Sequence, residues 1–180
     1  EDYDTPNGVT EDDGNPANWN RMMNIANSGV STAAGYARIR ELLDVDNLID
    51  YLLLTFYLGN DDWDGHNWYA GSRRAGGPGY QFFCWDSELI ISRHQNNPPP
   101  PQPDLDIILS RDRTGLNNNN KPTRLYGALR ANPEFRLRFA DRVHKHFYNG
   151  GALMTDQVLS RWTTRRDQVW RAVVAESARW

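Results

Sequence analysis

The stretch LGNDDWDGHNWYAG at residues 58–71 sets three aspartates, two asparagines and a histidine directly behind an apolar run. Oxygen-bearing side chains this dense suit a hard cation or a proton transfer. Two templates compete. Against a calcium loop, Asn60, Asp62, Asp64 and Gly65 fill the first, third, fifth and sixth places, as in a helix-flanked calcium site. The twelfth place, which should bring a bidentate glutamate, is Gly71, and the residues leading to it read as a strand. Against a phosphoryl-transfer loop, Asp62 precedes Asn67 by the five residues that separate a hydroxyl-orienting aspartate from a metal-binding asparagine. His66 reads as a hydrogen-bonding group that steadies the loop rather than as a base.

A loop of this kind works only if other elements hold it. Before it, Val45, Leu48, Ile49, Leu52, Leu53, Phe56 and Tyr57 fall at helical spacing, with Asp44 as N-cap and Gly59 as the closing residue. After it, NWYAGSR at 67–73 and YQFFCWD at 80–86 flank RAGGPG, the pattern of a β-hairpin. A turn centred between Gly76 and Gly77 would set Asn67 across from Asp86. An amide and a carboxylate would then share one end of a ribbon beside Asp62. That set suits Mg²⁺, which takes one or two carboxylates, water and nucleotide phosphate. Glu88, two residues past Asp86, is a further candidate ligand or a support behind it.

The remaining chain reads as mostly helical. Short helices are expected over 16–29 and 33–43. Asn132 caps a helix with Phe135, Phe139, Val143 and Phe147 on one face, and Thr155 starts another that runs to the end. On that last helix Trp162 and Trp170 are expected in core packing, with Arg161, Arg165 and Arg166 as a solvated stripe. Residues 1–15 read as an acidic surface segment, 93–104 as a proline-rich loop and the NNNN run at 117–120 as a smaller loop. Arg111 and Arg113, beside the proline-rich loop, are candidate contacts for phosphate or an acidic substrate.

At 180 residues and 39% hydrophobic content with seven tryptophans, the chain suits a single domain or subdomain. Twenty basic side chains nearly balance 23 acidic ones, a formal charge of -3, so nothing draws it as a whole to nucleic acid. No apolar run reaches membrane-spanning length. The lone Cys84 leaves the redox compartment unread.

LDVDNLIDYLLLTFYLGNDDWDGHNWYA, FFCWDSE, NPEFRLRFADRVHKHFYNGGAL and AVVAESARW together resemble the CotH kinase family, atypical secretory kinases first associated with bacterial spore coats. The resemblance runs from about residue 44 to 180. It implies a protein-kinase-like C-terminal lobe in an α+β, mostly helical fold. It also implies ATP as donor, Mg²⁺ or Mn²⁺, Ser/Thr of secreted or envelope proteins as acceptor, and a location outside the cytoplasm. By position, Asp62 matches the catalytic aspartate, Asn67 the loop asparagine and Asp86 the metal-binding aspartate. No G-x-G-x-x-G occurs, and both lysines, Lys121 and Lys145, follow the loop. The chain is therefore expected to correspond to the C-terminal part of the family domain, with the phosphate-covering N-terminal lobe missing or never present, and these 180 residues alone are expected to bind nucleotide poorly and to be inactive. Two other readings stand beside this one: a non-catalytic binding or structural envelope module, and a Ca²⁺ loop.

Overall fold

The computed structural model describes residues 2–4, 16–60, 62–73, 76–87, 90 and 112–179. Residues 5–15, the proline-rich segment 93–104, Glu88 and Arg111 lie outside them. The order is β1 (Asp2–Asp4), α1 (Ala17–Ser28), α2 (Ala33–Arg40), α3 (Val45–Leu58), β2 (Trp68–Ser72), β3 (Gln81–Cys84), α4 (Pro122–Leu129), α5 (Pro133–Phe147) and α6 (Thr155–Ser177). This is a mostly helical α+β architecture with one small antiparallel sheet. The chain divides into two compact units, Glu1–Phe139 and Ala140–Trp180.

The first unit is organised by α3. Its apolar stripe buries Leu48, Ile49 and Leu52 completely, each worth about 1.5–3 kcal/mol. The Asp44 carboxylate accepts from the Asn47 N–H at 3.1 Å, so one orphan donor of the first turn is satisfied. At the other end Gly59 takes left-handed backbone (φ 57°), and its N–H reaches the carbonyls of Thr55 and Phe56.

The first turn of α3 also grips β3. Asn47 accepts from the Phe82 N–H at 2.6 Å and donates to the Phe82 carbonyl at 3.5 Å. Gln81 donates to Asp44 at 2.9 Å. Just before it, the Tyr80 N–H donates to Leu42 at 2.7 Å and the Asp44 N–H to Tyr80 at 3.1 Å. Leu43 is thereby drawn into a parallel bridge with Tyr80, and α2 ends at Arg40, short of the expected residue 43.

The sheet runs β1-β2-β3. Residues 2–4, at the start of the acidic segment, pair with β2: Asp2 with Ser72, Tyr3 with Gly71 and Asp4 with Ala70. Main-chain pairing needs no apolar periodicity, which is why the acidic sequence does not announce it. The hairpin forms, but one residue away from the expected register. Trp68 pairs with Cys84 and Ala70 with Phe82, so the ladder centres on Gly76 and its continuation sets Asn67 against Trp85.

Behind the sheet lies an aromatic core. Trp19 of α1 stacks on Trp68 at 5.6 Å and meets Tyr80 edge-on at 5.3 Å. Its indole N–H donates to Asn120 at 2.8 Å. Asn132 caps α5 as expected, accepting from the Glu134 and Phe135 N–H groups at 2.9 and 3.3 Å. Its own amide donates to the Val30 carbonyl at 2.9 Å and contacts those of Ser31 and Thr32, tying α5 to the turn before α2. An ion pair ties α5 to the first turn of α3, with Arg138 bonded to both carboxylate oxygens of Asp46 at 2.5 and 2.8 Å.

The second unit holds the last turns of α5, a tight connection and α6. Leu153 N–H donates to His146 at 2.8 Å, Met154 N–H to Gly151 at 3.1 Å, and Arg161 to the Ala152 carbonyl. The helix expected from Thr155 is present, but its tryptophans are not in a core. Trp162 and Trp170 are each 59% exposed, and α6 buries no residue. Periodicity records that a helix has an apolar face, not what covers it.

Gly79 has φ 91°, and a Cβ there would lie 2.5 Å from the Leu42 carbonyl carbon and the Leu43 nitrogen. Gly79→Ala is expected to cost about 2 kcal/mol or more, read as a lower urea midpoint. An unchanged midpoint would show that the hairpin does not depend on its approach to the α2–α3 junction.

Candidate functional site

The loop from Asn60 to Asn67 leaves α3 at Gly59 and enters β2 at Trp68. Its middle is anchored by two indoles. Trp63, 3% exposed, donates to the Tyr51 hydroxyl at 2.5 Å and packs edge-on against Phe56. Burial drives the Tyr51 phenol well above its ordinary pKa, so it serves here as a neutral hydrogen-bonding group. Trp68 donates to the Asp64 carbonyl at 3.2 Å.

Asp64 is fully buried, and its carboxylate turns away from the loop's open side. One oxygen accepts from the Asn118 amide at 2.6 Å; the other accepts from the Thr123 hydroxyl at 2.6 Å and the Thr123 N–H at 3.2 Å. Thr123 stands in the first turn of α4, so Asp64 caps that helix from a distant part of the chain. The Thr123 hydroxyl also accepts from the Asn118 N–H at 2.9 Å. Nearby, Arg113 donates to the Asn60 carbonyl at 3.1 Å. Lys121 reaches the Gly65 carbonyl at 3.5 Å and lies over the Trp68 ring. Arg113 is thus placed against the loop's own backbone.

On the open side the Asn67 amide donates to the Asp62 carboxylate at 2.7 Å and to the Asp86 backbone carbonyl at 3.1 Å. The structure therefore brings Asp62, Asn67 and the Asp86 main chain together, but not through the expected cross-strand pairing. Asn67 (φ 64°) and Asp86 (φ 47°) both take left-handed backbone and leave the ladder. Such conformations are uncommon outside glycine, least so for Asn and Asp. With the Asn67 N–H₂ group turned to these two partners, its amide oxygen accepts no hydrogen bond among the described residues. The Asp86 side chain is exposed, as is His66, whose backbone N–H donates to the Asp62 carbonyl at 3.1 Å.

The family model described as CotH kinase protein matches residues 1–158. The chain belongs to the CotH kinase family. No curated protein and no solved structure matches it. The CotH match takes in β1 and both short N-terminal helices, reaching further toward the N-terminus than the residues that carry the resemblance by eye. It ends four residues into α6. The whole loop, the hairpin and α4 lie inside it.

The donor set of this CotH chain fits a divalent cation. Among the described residues no three His, Cys, Asp or Glu side chains group as a metal site; the set here is the Asn67 amide and the Asp86 carboxylate, with Asp62 alongside. In the same loop Asp62 Oδ1 is buried without any hydrogen-bond partner, as is Asn60 Oδ1 where the chain leaves α3. Buried polar atoms are nearly always satisfied, so an orphan oxygen marks a place for a cation or a donor. Glu88 falls outside the described residues. A calcium loop fits less well: Asp64, at its fifth place, has both oxygens engaged by Asn118 and Thr123, and the chain continues into a strand.

Sequence reasoning passed over Asn118 and Thr123. The available signal was Lys-Pro-Thr at 121–123, a proline-marked helix start behind an asparagine run. Nothing local says that its cap is 59 residues away. Thr123→Val, which removes the hydroxyl between Asp64 and Asn118, is expected to cost about 1–3 kcal/mol in urea unfolding, whereas Thr123→Ser retains most of the stability. Equal midpoints for the two variants would show that this hydroxyl does not hold the loop.

Proposed function

We propose that this chain is the phosphoryl-transfer lobe of a CotH-type kinase, which passes the γ-phosphoryl group of ATP to Ser or Thr hydroxyls of secreted or envelope proteins. The observation that carries the reading is the Asn67 side chain bonded at once to the Asp62 carboxylate and the Asp86 backbone. It joins two segments that sequence separates, and it leaves one amide oxygen and the Asp86 carboxylate for an incoming ligand.

In this reading Asp62 orients the acceptor hydroxyl and takes its proton. The hydroxyl oxygen bonds to the γ-phosphorus as the bond to the β–γ bridging oxygen breaks, and ADP leaves. Asn67 and Asp86 would hold Mg²⁺ or Mn²⁺, which would offset phosphate charge. Tyr69, Phe83 and Trp85 give the hairpin an exposed aromatic face. Tyr69 is paired with Phe83 and meets Trp85 edge-on at 5.4 Å. A purine can stack on such a face, next to the residues assigned to the metal.

The alternative is a non-catalytic binding or structural module of kinase-like fold. The two separate experimentally. In the full-length protein, Asp62→Ala and Asp86→Ala are each expected to lower transfer from labelled ATP by about 100-fold or more. Asp86→Ala, but not Asp62→Ala, should also remove the rise in melting temperature given by ATP with Mn²⁺. Trp85→Ala should weaken nucleotide binding by about five-fold or more. Wild-type protein with neither stabilisation at millimolar nucleotide nor transfer would favour the module.

A further inference from the structure

The last helix poses a problem that phosphoryl transfer does not address. Over its 23 residues α6 buries nothing. Leu159, Trp162, Val169, Trp170, Val173 and Val174 are all between 41% and 59% exposed. At 100° per residue they fall on one side, a broad apolar band rather than scattered surface residues.

Along α6 Arg161, Arg165, Arg166 and Arg171 stand against Asp156, Asp167 and Glu176; the arginines cluster between residues 161 and 171 with Asp167 alone among them, so the middle of the helix is net positive on a chain whose formal charge is -3. The helix is also amphipathic rather than apolar all round, and among the described residues no helix is long and apolar enough to cross a membrane.

Arg166 discriminates between the surfaces that could cover this band. It falls at the band's centre, between Trp162 and Trp170. Against a dry helix or a second copy it would lie, with its Asp167 partner, as a desolvated ion pair on the seam, where the loss of hydration offsets most of the attraction. In the structure its guanidinium lies 5.2 Å from the centre of the Trp162 ring and bonds the Asp167 carboxylate at 2.7 Å, turned toward the flank of the helix. That is how a long basic side chain behaves at a wet boundary, its stem over an apolar ring and its head toward charge. Tryptophan favours the same boundary.

We infer that α6 is a membrane-surface helix: it lies in the interface of an anionic lipid bilayer, with Trp162 and Trp170 sunk among the acyl chains and its arginines at the headgroups. Binding of this kind adds buried apolar area to attraction for anionic lipid.

The test is flotation of the full 180-residue chain with vesicles of phosphatidylcholine alone or phosphatidylcholine mixed with phosphatidylglycerol. The expected result is about tenfold or stronger partitioning to the anionic vesicles, most of it lost in about 0.5 M salt. The double variant Trp162→Ala/Trp170→Ala should lose at least about tenfold of the binding. Arg165→Gln/Arg166→Gln should lose the anionic preference selectively. All four positions are exposed, and an unchanged thermal midpoint checks that the fold survives. No binding to anionic vesicles, equal binding to both kinds, or binding indifferent to the tryptophans would overturn the inference. So would self-association that the double tryptophan variant abolishes in a chain that ignores vesicles, since the band would then join copies.

Discussion

A fully buried carboxylate with three hydrogen bonds sets the geometry of everything around it. Asp64 sits in the middle of the loop and spends both oxygens on Asn118 and Thr123. Burying such a group is tolerable only when its acceptor sites are filled, so the loop and the start of α4 must fold against each other. With that point fixed, the residues on either side have few options. Asp62 and Asn67 come to the opposite side of the loop, and the Trp68 indole, bonded to the Asp64 carbonyl, starts β2 at a defined angle.

The second constraint is α3, which acts at both ends. Its N-terminal turn holds β3 through Asp44 and Asn47, and its C-terminal glycine releases the loop. One rigid helix thus sets the distance between the loop and the strand that leads to Asp86. The aromatic cluster of Trp19, Trp68, Tyr80 and Phe82 fills the space between them. The site residues are mostly polar and partly exposed, whereas what positions them is dry and tightly bonded. A preorganised reacting centre needs that division.

Much of this was legible in the sequence, and the failures have physical causes. α3 could be delimited to the residue because stripe, cap and closing glycine agree. The hairpin could be read but not its register, since glycines at 76, 77 and 79 leave the turn's centre open. Gly79 turns out to serve the approach to Leu42 and Leu43. The meeting of Asp62, Asn67 and the Asp86 segment could be anticipated from spacing and family resemblance. The Asp64 clasp could not, because its partners lie 54 and 59 residues on and carry no local mark. The exposure of Trp162 and Trp170 was equally hidden, since an apolar stripe looks the same in a core and on a surface.

The bonds made by Tyr80 and Phe82 settle how this small sheet can grow. Leu42, Asp44 and the amide of Asn47 occupy the outward main-chain groups of both residues. No further strand can add there without displacing them. Among the described residues, the free main-chain edge of this sheet is therefore the far side of β1, at residues 2–4.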